Sequence, residues 1–306
     1  MAITGLFQKR FLKQARFFKI TFEKNQLENL KKRIQQVKKK RPGYKEILDF
    51  YLKIKKAQEK IKPFLKLTPI PLKKELKELL SKEGFPFLEK KDFPIDPDSS
   101  TSLFHSLCKI GKETNPTLAK QIRKTEKAIL QKGLDLKKVL TGEIGGEKVA
   151  DQFGLDKKVF LFLIHNSIKP SIEAIVEQIH KEVDPETWLK GYCPLCGSLP
   201  YLALLKGEGG KRYLLCSYCG YEWRVDRLFC PFCGNNDQGS LQYFTAEGEE
   251  HYRVDICDQC RQYIKTIDLR EMELMDPGLE DLATLHLDLI ASRKEYKRPV
   301  PNPWAP

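Results

Sequence analysis

Eight of the nine cysteines in this chain fall into four Cys-x-x-Cys pairs: Cys193/Cys196, Cys216/Cys219, Cys230/Cys233 and Cys257/Cys260. A turn of this kind brings two thiolates onto one ion while backbone N–H groups point at the sulfurs, and two turns complete a tetrahedral all-thiolate site. Eight paired cysteines therefore make two closed sites with no ligand left over. Three knuckles carry a glycine directly after the second cysteine (Gly197, Gly220 and Gly234), suited to the positive φ that closes such a turn. The fourth carries Arg261 there and lacks the proline of the first and third. Its site is expected to exchange metal more readily.

The segments between the knuckles read as hairpins. Tyr201 to Leu205 and Tyr213 to Leu215 flank a turn at Gly207-Glu208-Gly209-Gly210, and Leu241 to Thr245 and His251 to Ile256 flank one at Glu247-Gly248-Glu249. This predicts two consecutive ribbons, the first two knuckles on one ion and the last two on another, with an interleaved cross-brace as the competing arrangement. Iron and zinc both accept four thiolates, so the spacing leaves the metal open. A disulfide framework suits a secreted domain, and no secretory signal is legible in Met1 to Arg16. Thioredoxin-type chemistry needs one pair opening a helix in a βαβ unit, whereas these pairs lie between strands. An enzyme with a metal-thiolate active site needs an open ligand position, and two closed sites offer none.

The elements that carry the ribbons are helical. Leu27, Leu30, Ile34 and Val37 recur at helical spacing over 25–41, until Pro42-Gly43 ends the run. Ile47, Leu48, Tyr51, Ile54 and Ala57 mark a second helix over 44–61. Shorter helices are expected over 72–82, 99–110 and 116–132, separated by an irregular stretch over 85–97 with Pro86, Pro94 and Pro97. Residues 151–181 form the most apolar helical region, which Pro170 is expected to kink or divide. Within these helices Cys108 reads as a buried thiol, and His165 and His180 as packing or capping residues. Trp223 is expected to pack against a ribbon. A last strand over 262–269, a helix over 281–292 and an extended proline-rich tail complete the chain. The longest unbroken apolar run, Val159 to Ile164, falls far short of the roughly 20 residues of a membrane span. A soluble, cytoplasmic protein without membrane insertion is expected.

The net charge of +13 is concentrated in residues 1–62, densest at Lys38-Lys39-Lys40-Arg41, and the remainder is close to neutral. That segment is either a lysine-rich solvated helix face or an arm for an acidic partner. Basic character and strand aromatics such as Tyr213, Tyr243, Phe244 and Tyr252 also suit a zinc-ribbon nucleic-acid-binding protein, the alternative function. Against it, the charge lies far from the ribbons in sequence.

Gly191-Tyr192-Cys193-Pro194-x-Cys196-Gly197-Ser198-x-Pro200, Leu215-Cys216-Ser217-x-Cys219-Gly220, Trp223, Arg227 and Cys230-Pro231-x-Cys233-Gly234 form one pattern. With Lys265-Thr266-Ile267-Asp268, Asp281 to Asp288 and the Pro301-Asn302-Pro303 tail, it resembles the formate dehydrogenase accessory protein FdhE family. The resemblance is most specific over 191–303 and extends weakly upstream. It implies a cytoplasmic maturation factor, not an enzyme, that associates with the catalytic subunit of respiratory formate dehydrogenase. It also implies iron at rubredoxin-like sites, with the eight paired cysteines as ligands. The expected class is α+β: an N-terminal all-helical domain (1–190) with a basic start, two consecutive rubredoxin-like or zinc-ribbon modules (191–229 and 230–270), and a C-terminal helix with a proline-rich tail (271–306).

Overall fold

A computed structural model of the chain describes residues 27–71, 80, 82–131, 133–270, 276–302 and 304. Most of the expected 72–82 helix and the start of the basic segment lie outside them. The chain is α+β, with helices leading into a single sheet that carries two four-cysteine clusters.

The helical part begins with α1, residues 27–40, and α2, Lys45–Ile61. Helix α3, Pro97–Thr114, is longer than its apolar pattern because Asp96 caps it, accepting from the N–H groups of Asp98 and Ser99. Helix α4, Pro116–Gln131, follows, then two short helices that the apolar periodicity did not mark, α5 (Leu136–Leu140) and α6 (Gly146–Phe153). At the centre is α7, Lys157–Ile179, capped by Asp156.

Helix α7 passes through Pro170 undivided, so of the two expected outcomes division does not occur. Proline has no N–H, so the carbonyl of Asn166, one turn back, loses its helical donor. The buried amide of Gln58 on α2 supplies a replacement, donating to Asn166 O at 2.9 Å and to Asn166 Oδ1 at 3.3 Å. With its 3-10 extension to Glu182, α7 is long and apolar enough to cross a membrane, but more than half of its apolar window is buried within the protein. It is the core helix.

The strands are β1 (Pro200–Lys206), β2 (Lys211–Cys216), β3 (Glu222–Val225), β4 (Leu241–Thr245), β5 (Tyr252–Cys257) and β6 (Gln262–Asp268). They form one sheet of order β3-β2-β1-β6-β5-β4. Neighbours are antiparallel except at the centre, where β1 and β6 run parallel from Leu202 opposite Lys265 to Leu205 opposite Asp268. The two ribbons thus share hydrogen bonds along one seam. Gly191 adds a second contact: a Cβ there would lie 2.0 Å from the Pro231 carbonyl oxygen, so only glycine lets the first module's entry pass this close to the third knuckle.

One apolar core runs from the helices into the first ribbon, joining Ile54, Phe104, Phe160 and Ile172 to Leu195, Leu214 and Trp223. Trp223 is fully buried on β3 and donates to Lys190 O at 2.7 Å, as its expected packing role requires. The C-terminal helix is interrupted at Thr284 into α8 (Pro277–Ala283) and α9 (Leu285–Arg293). Helix α8 packs on α1 and α2 through Leu279 and Leu282, and α9 packs on the second ribbon through Leu287 and Ala291.

The basic segment is tied into this assembly. Arg33 grips buried Glu280 with two hydrogen bonds, 2.8 and 2.9 Å, and reaches Tyr252 on β5 at 2.7 Å. Arg41 pairs with Glu249 in the second hairpin turn, and Lys38 with Asp49. Arg33 and Arg41 dock this helix and its end onto the second ribbon and α8, and Lys38 ties it to α2, which neither alternative for the basic segment anticipated. The tail is extended but bound: Asn302 donates to Asp281, and Trp304 packs on Tyr51 and Phe162 with ring centroids 4.6 and 5.0 Å away.

Candidate metal centres

Each knuckle folds in the same way. The N–H after the second cysteine donates back to the first cysteine's carbonyl: Gly197 to Cys193 at 2.9 Å, Gly220 to Cys216 at 3.2 Å, Gly234 to Cys230 at 3.0 Å and Arg261 to Cys257 at 2.9 Å. Closing the turn requires positive φ at that residue. The three glycines take +72, +74 and +76°, and Arg261 takes +55°. A side chain in this region costs about 1 kcal/mol or more. Arg261 offsets the cost by stacking on Tyr296, 4.0 Å from the ring centroid, and donating to Lys294 O at 2.8 Å.

The sulfurs gather in sequence order. Cys193, Cys196, Cys216 and Cys219 form one cluster, and Cys230, Cys233, Cys257 and Cys260 the other. In the first, sulfur separations are 3.6 Å (Cys193–Cys219), 3.4 Å (Cys196–Cys216) and 3.6 Å (Cys196–Cys219). In the second they are 3.7 Å (Cys230–Cys260) and 3.8 Å (Cys233–Cys257). A regular tetrahedron with metal–sulfur bonds near 2.3 Å has edges of about 3.8 Å. Both clusters can therefore close on an ion with little movement.

Their electrostatics agree with this geometry. Burial pushes the Cys193 thiol up, while three neighbouring sulfurs favour the thiolate of Cys196. In the second cluster burial raises Cys230 to about 11; it opposes the Cys257 thiolate too, but the Cys260 backbone N–H and the Asn235 amide outweigh it and bring Cys257 to about 7. Four ionised sulfurs at these separations repel one another, and a cation at the centre resolves the conflict. Every first-cluster cysteine is at most 7% exposed, whereas Cys233 is exposed and Cys260 half-buried. The second centre is the accessible one.

Phe87 and Leu88, from the irregular proline-rich stretch, donate to the carbonyls of Pro194 and Leu195 at 2.9 and 2.8 Å and so brace the first knuckle. Cys108 takes no part in either cluster; it is buried on α3, and burial pushes its thiol up to about 12. His180 places Nδ1 2.8 Å from Glu177 O, a local helix-end contact. The His165 ring lies 5.6 Å from that of Tyr218, within the second knuckle, tilted at 47°, and burial lowers His165 to about 4.

Residues 192–227 match the family described as "FdhE, central domain", and residues 228–304 match "FdhE, C-terminal domain". Over residues 192–304 the chain is similar to FdhE proteins. A protein FdhE homolog of Aquifex aeolicus is 27% identical, with 90% of this chain and 94% of that protein aligned. The FdhE homolog of Shewanella oneidensis is 35% identical over 113 residues, 36% of this chain and 37% of that protein. The crystal structure of the FdhE protein from Pseudomonas aeruginosa superposes with a TM-score of 0.63 at 20% identity, covering 91% of this chain and 95% of that one, so the two share a fold.

Several residues of the FdhE pattern outside the knuckles meet in one buried network that motif spacing could not reveal. Lys265 on β6 is 2.7 Å from both Asp281 and Asp288. Arg298 joins the same two carboxylates at 2.8 and 3.2 Å, and Asn302 reaches Asp281 at 2.7 Å. The network binds the sheet, α8, α9 and the tail together. Its members lie far apart in sequence, and the signal available was only that charged residues interrupt apolar runs, as Lys265 does in β6.

Proposed function

We propose that this chain is a cytoplasmic maturation factor for respiratory formate dehydrogenase. It meets the catalytic subunit and carries one metal ion at each four-cysteine cluster, with Cys193, Cys196, Cys216 and Cys219 as ligands of the first and Cys230, Cys233, Cys257 and Cys260 of the second. It is not itself an enzyme. The observation that carries this reading is the pair of closed tetra-thiolate clusters within a chain similar to FdhE proteins. A closed site has no position for substrate, which favours a structural or electron-handling role over catalysis at the metal.

Iron held by four thiolates supplies a one-electron change with no change of ligands. The protein's part is to keep the four sulfurs at tetrahedral separations and to set access. The first cluster is sealed by the proline-rich stretch and the helical core, while the second presents Cys233 to solvent. On this reading the second centre exchanges electrons with a partner and the first holds the ribbon to the helices.

The test is complementation. Cells lacking the gene receive the wild type, Cys193→Ser or Cys233→Ser, and formate dehydrogenase activity is measured together with co-purification of its catalytic subunit. Wild type restores both. Cys233→Ser is expected to retain co-purification and lose activation. Full activation by Cys233→Ser defeats the electron-handling role, and failure of the wild type to capture the catalytic subunit defeats the maturation reading. Metal content and the visible spectrum of anaerobically purified protein decide the ion: a thiolate-to-iron band that bleaches on reduction for iron, a colourless sample for zinc.

A further inference from the structure

A cavity of about 560 Å³ lies where α2, α7, the second knuckle and the C-terminal tail meet. Its lining includes the second knuckle, Cys216 to Gly220. It also includes a stripe of α7 on which His165, Lys169 and Glu173 follow at four-residue spacing. Rings of Tyr201, Tyr218 and Trp304 supply apolar surface. The volume lies within the range of small-molecule sites, which are mostly apolar with a few placed polar groups.

The charges in this cavity are unevenly satisfied. Glu173 is held by Lys62 at 3.2 Å, and Asp276 by Lys55 at 3.4 Å together with the Tyr51 hydroxyl. Asp281 is held by Lys265 and Arg298 at 2.7 and 2.8 Å. Lys169, half-buried on the α7 stripe, has no hydrogen bond or ion pair among the described residues. A folded protein rarely keeps a cation in a partly desolvated setting without a partner. Lys90, with no ion pair among the described residues, stands at the same cavity over the Tyr218 ring, 5.2 Å from its centroid. Glu177 is a fourth carboxylate at the cavity, and Lys169 and Lys90 are its two lysines without an ion pair among the described residues.

We infer that this cavity binds an organic oxyanion, a carboxylate or phosphate carried on a planar ring, with Lys169 as its charged anchor and Tyr201, Tyr218 and Trp304 as its ring-contacting walls. Burial and the nearby Lys55 lower the basicity of Lys169 against the opposing pull of Glu173 and Asp276. His165 is neutral near pH 7 and offers a hydrogen bond without competing for the anion. This site is independent of the maturation reading and of which metal fills the clusters.

The test uses full-length, metal-loaded protein at neutral pH, titrated with benzoate, phenyl phosphate and inorganic phosphate by calorimetry and Trp304-sensitive fluorescence. The two aromatic anions are expected to saturate a single site and inorganic phosphate to bind more weakly; whichever aromatic probe binds tighter identifies the anion type. Lys169→Met should weaken the better probe about tenfold or more, equivalent to about 1.4 kcal/mol, and Lys169→Arg should retain it. Lys169→Met also withdraws a cation from Glu173, so the melting temperature of each variant is recorded without probe and binding is compared between folded proteins. Absence of saturable binding by either aromatic probe at millimolar concentration overturns the inference. So does equal binding by Lys169→Met.

Discussion

The Gln58 amide and Pro170 form a compensating pair, and a double-mutant cycle can measure it. Gln58→Leu keeps the side-chain bulk but leaves the Asn166 carbonyl, deprived of a helical donor by Pro170, without the hydrogen bond it receives at 2.9 Å. Gln58 is only 2% exposed and Asn166 only 3%, so water does not readily replace it. The cost of an unsatisfied buried acceptor is about 1–3 kcal/mol. Pro170→Ala restores an N–H four residues after Asn166, and in that background the carbonyl no longer depends on Gln58. Gln58→Leu should then cost about 1 kcal/mol less than in the wild type, the difference being the coupling energy. Urea unfolding followed by far-UV circular dichroism at constant metal content reads all four corners. An equal cost of Gln58→Leu with proline or alanine at 170 would refute the argument and require another explanation for the undivided helix.

Three further outcomes follow from the geometry. EDTA should release metal in two phases, the faster from the cluster containing exposed Cys233, and Cys233→Ser should abolish that phase; one uniform phase contradicts the accessibility argument. Burial alone would raise the Glu173 carboxyl, but Lys55, Lys62 and Lys169 hold it at about 2 against an ordinary 4.5. Its stabilising contribution is present above pH 4.5 and lost as pH falls towards 2, where the unfolded chain takes up the proton first, so Glu173→Gln should flatten the acid limb of a stability–pH profile. At the fourth knuckle, Arg261→Gly and Arg261→Ala both lose the Tyr296 stack, but only alanine retains the cost of positive φ; thermal melts should place the glycine variant about 1 kcal/mol above the alanine variant.

The chemistry of the clusters was legible because it is local. Two cysteines three apart in a turn that positive φ closes already fix half a site, and hairpin-length spacers between knuckles favour joining neighbours. Helices with strong apolar stripes, such as α2 and α7, were legible for the same reason, since a 3.6-residue period is written in adjacent residues. The short α5 and α6 carry too few turns for a period to show.

What the tertiary structure decided depends on partners distant in sequence. Continuity of α7 through Pro170 rests on Gln58, 108 residues from the carbonyl it serves. Union of the two ribbons rests on a parallel seam between β1 and β6, which no hairpin length encodes. The role of the basic helix rests on Glu280, 247 residues beyond Arg33, and which cavity lysines lack an ion pair among the described residues is recognisable only after the acids around them have found their partners. Residue type and spacing determine what a segment can bind or form by itself. Whether a charge is paired, a proline tolerated or a thiolate exposed is set by long-range packing, because each is a balance between desolvation and a partner that only the folded chain brings within reach.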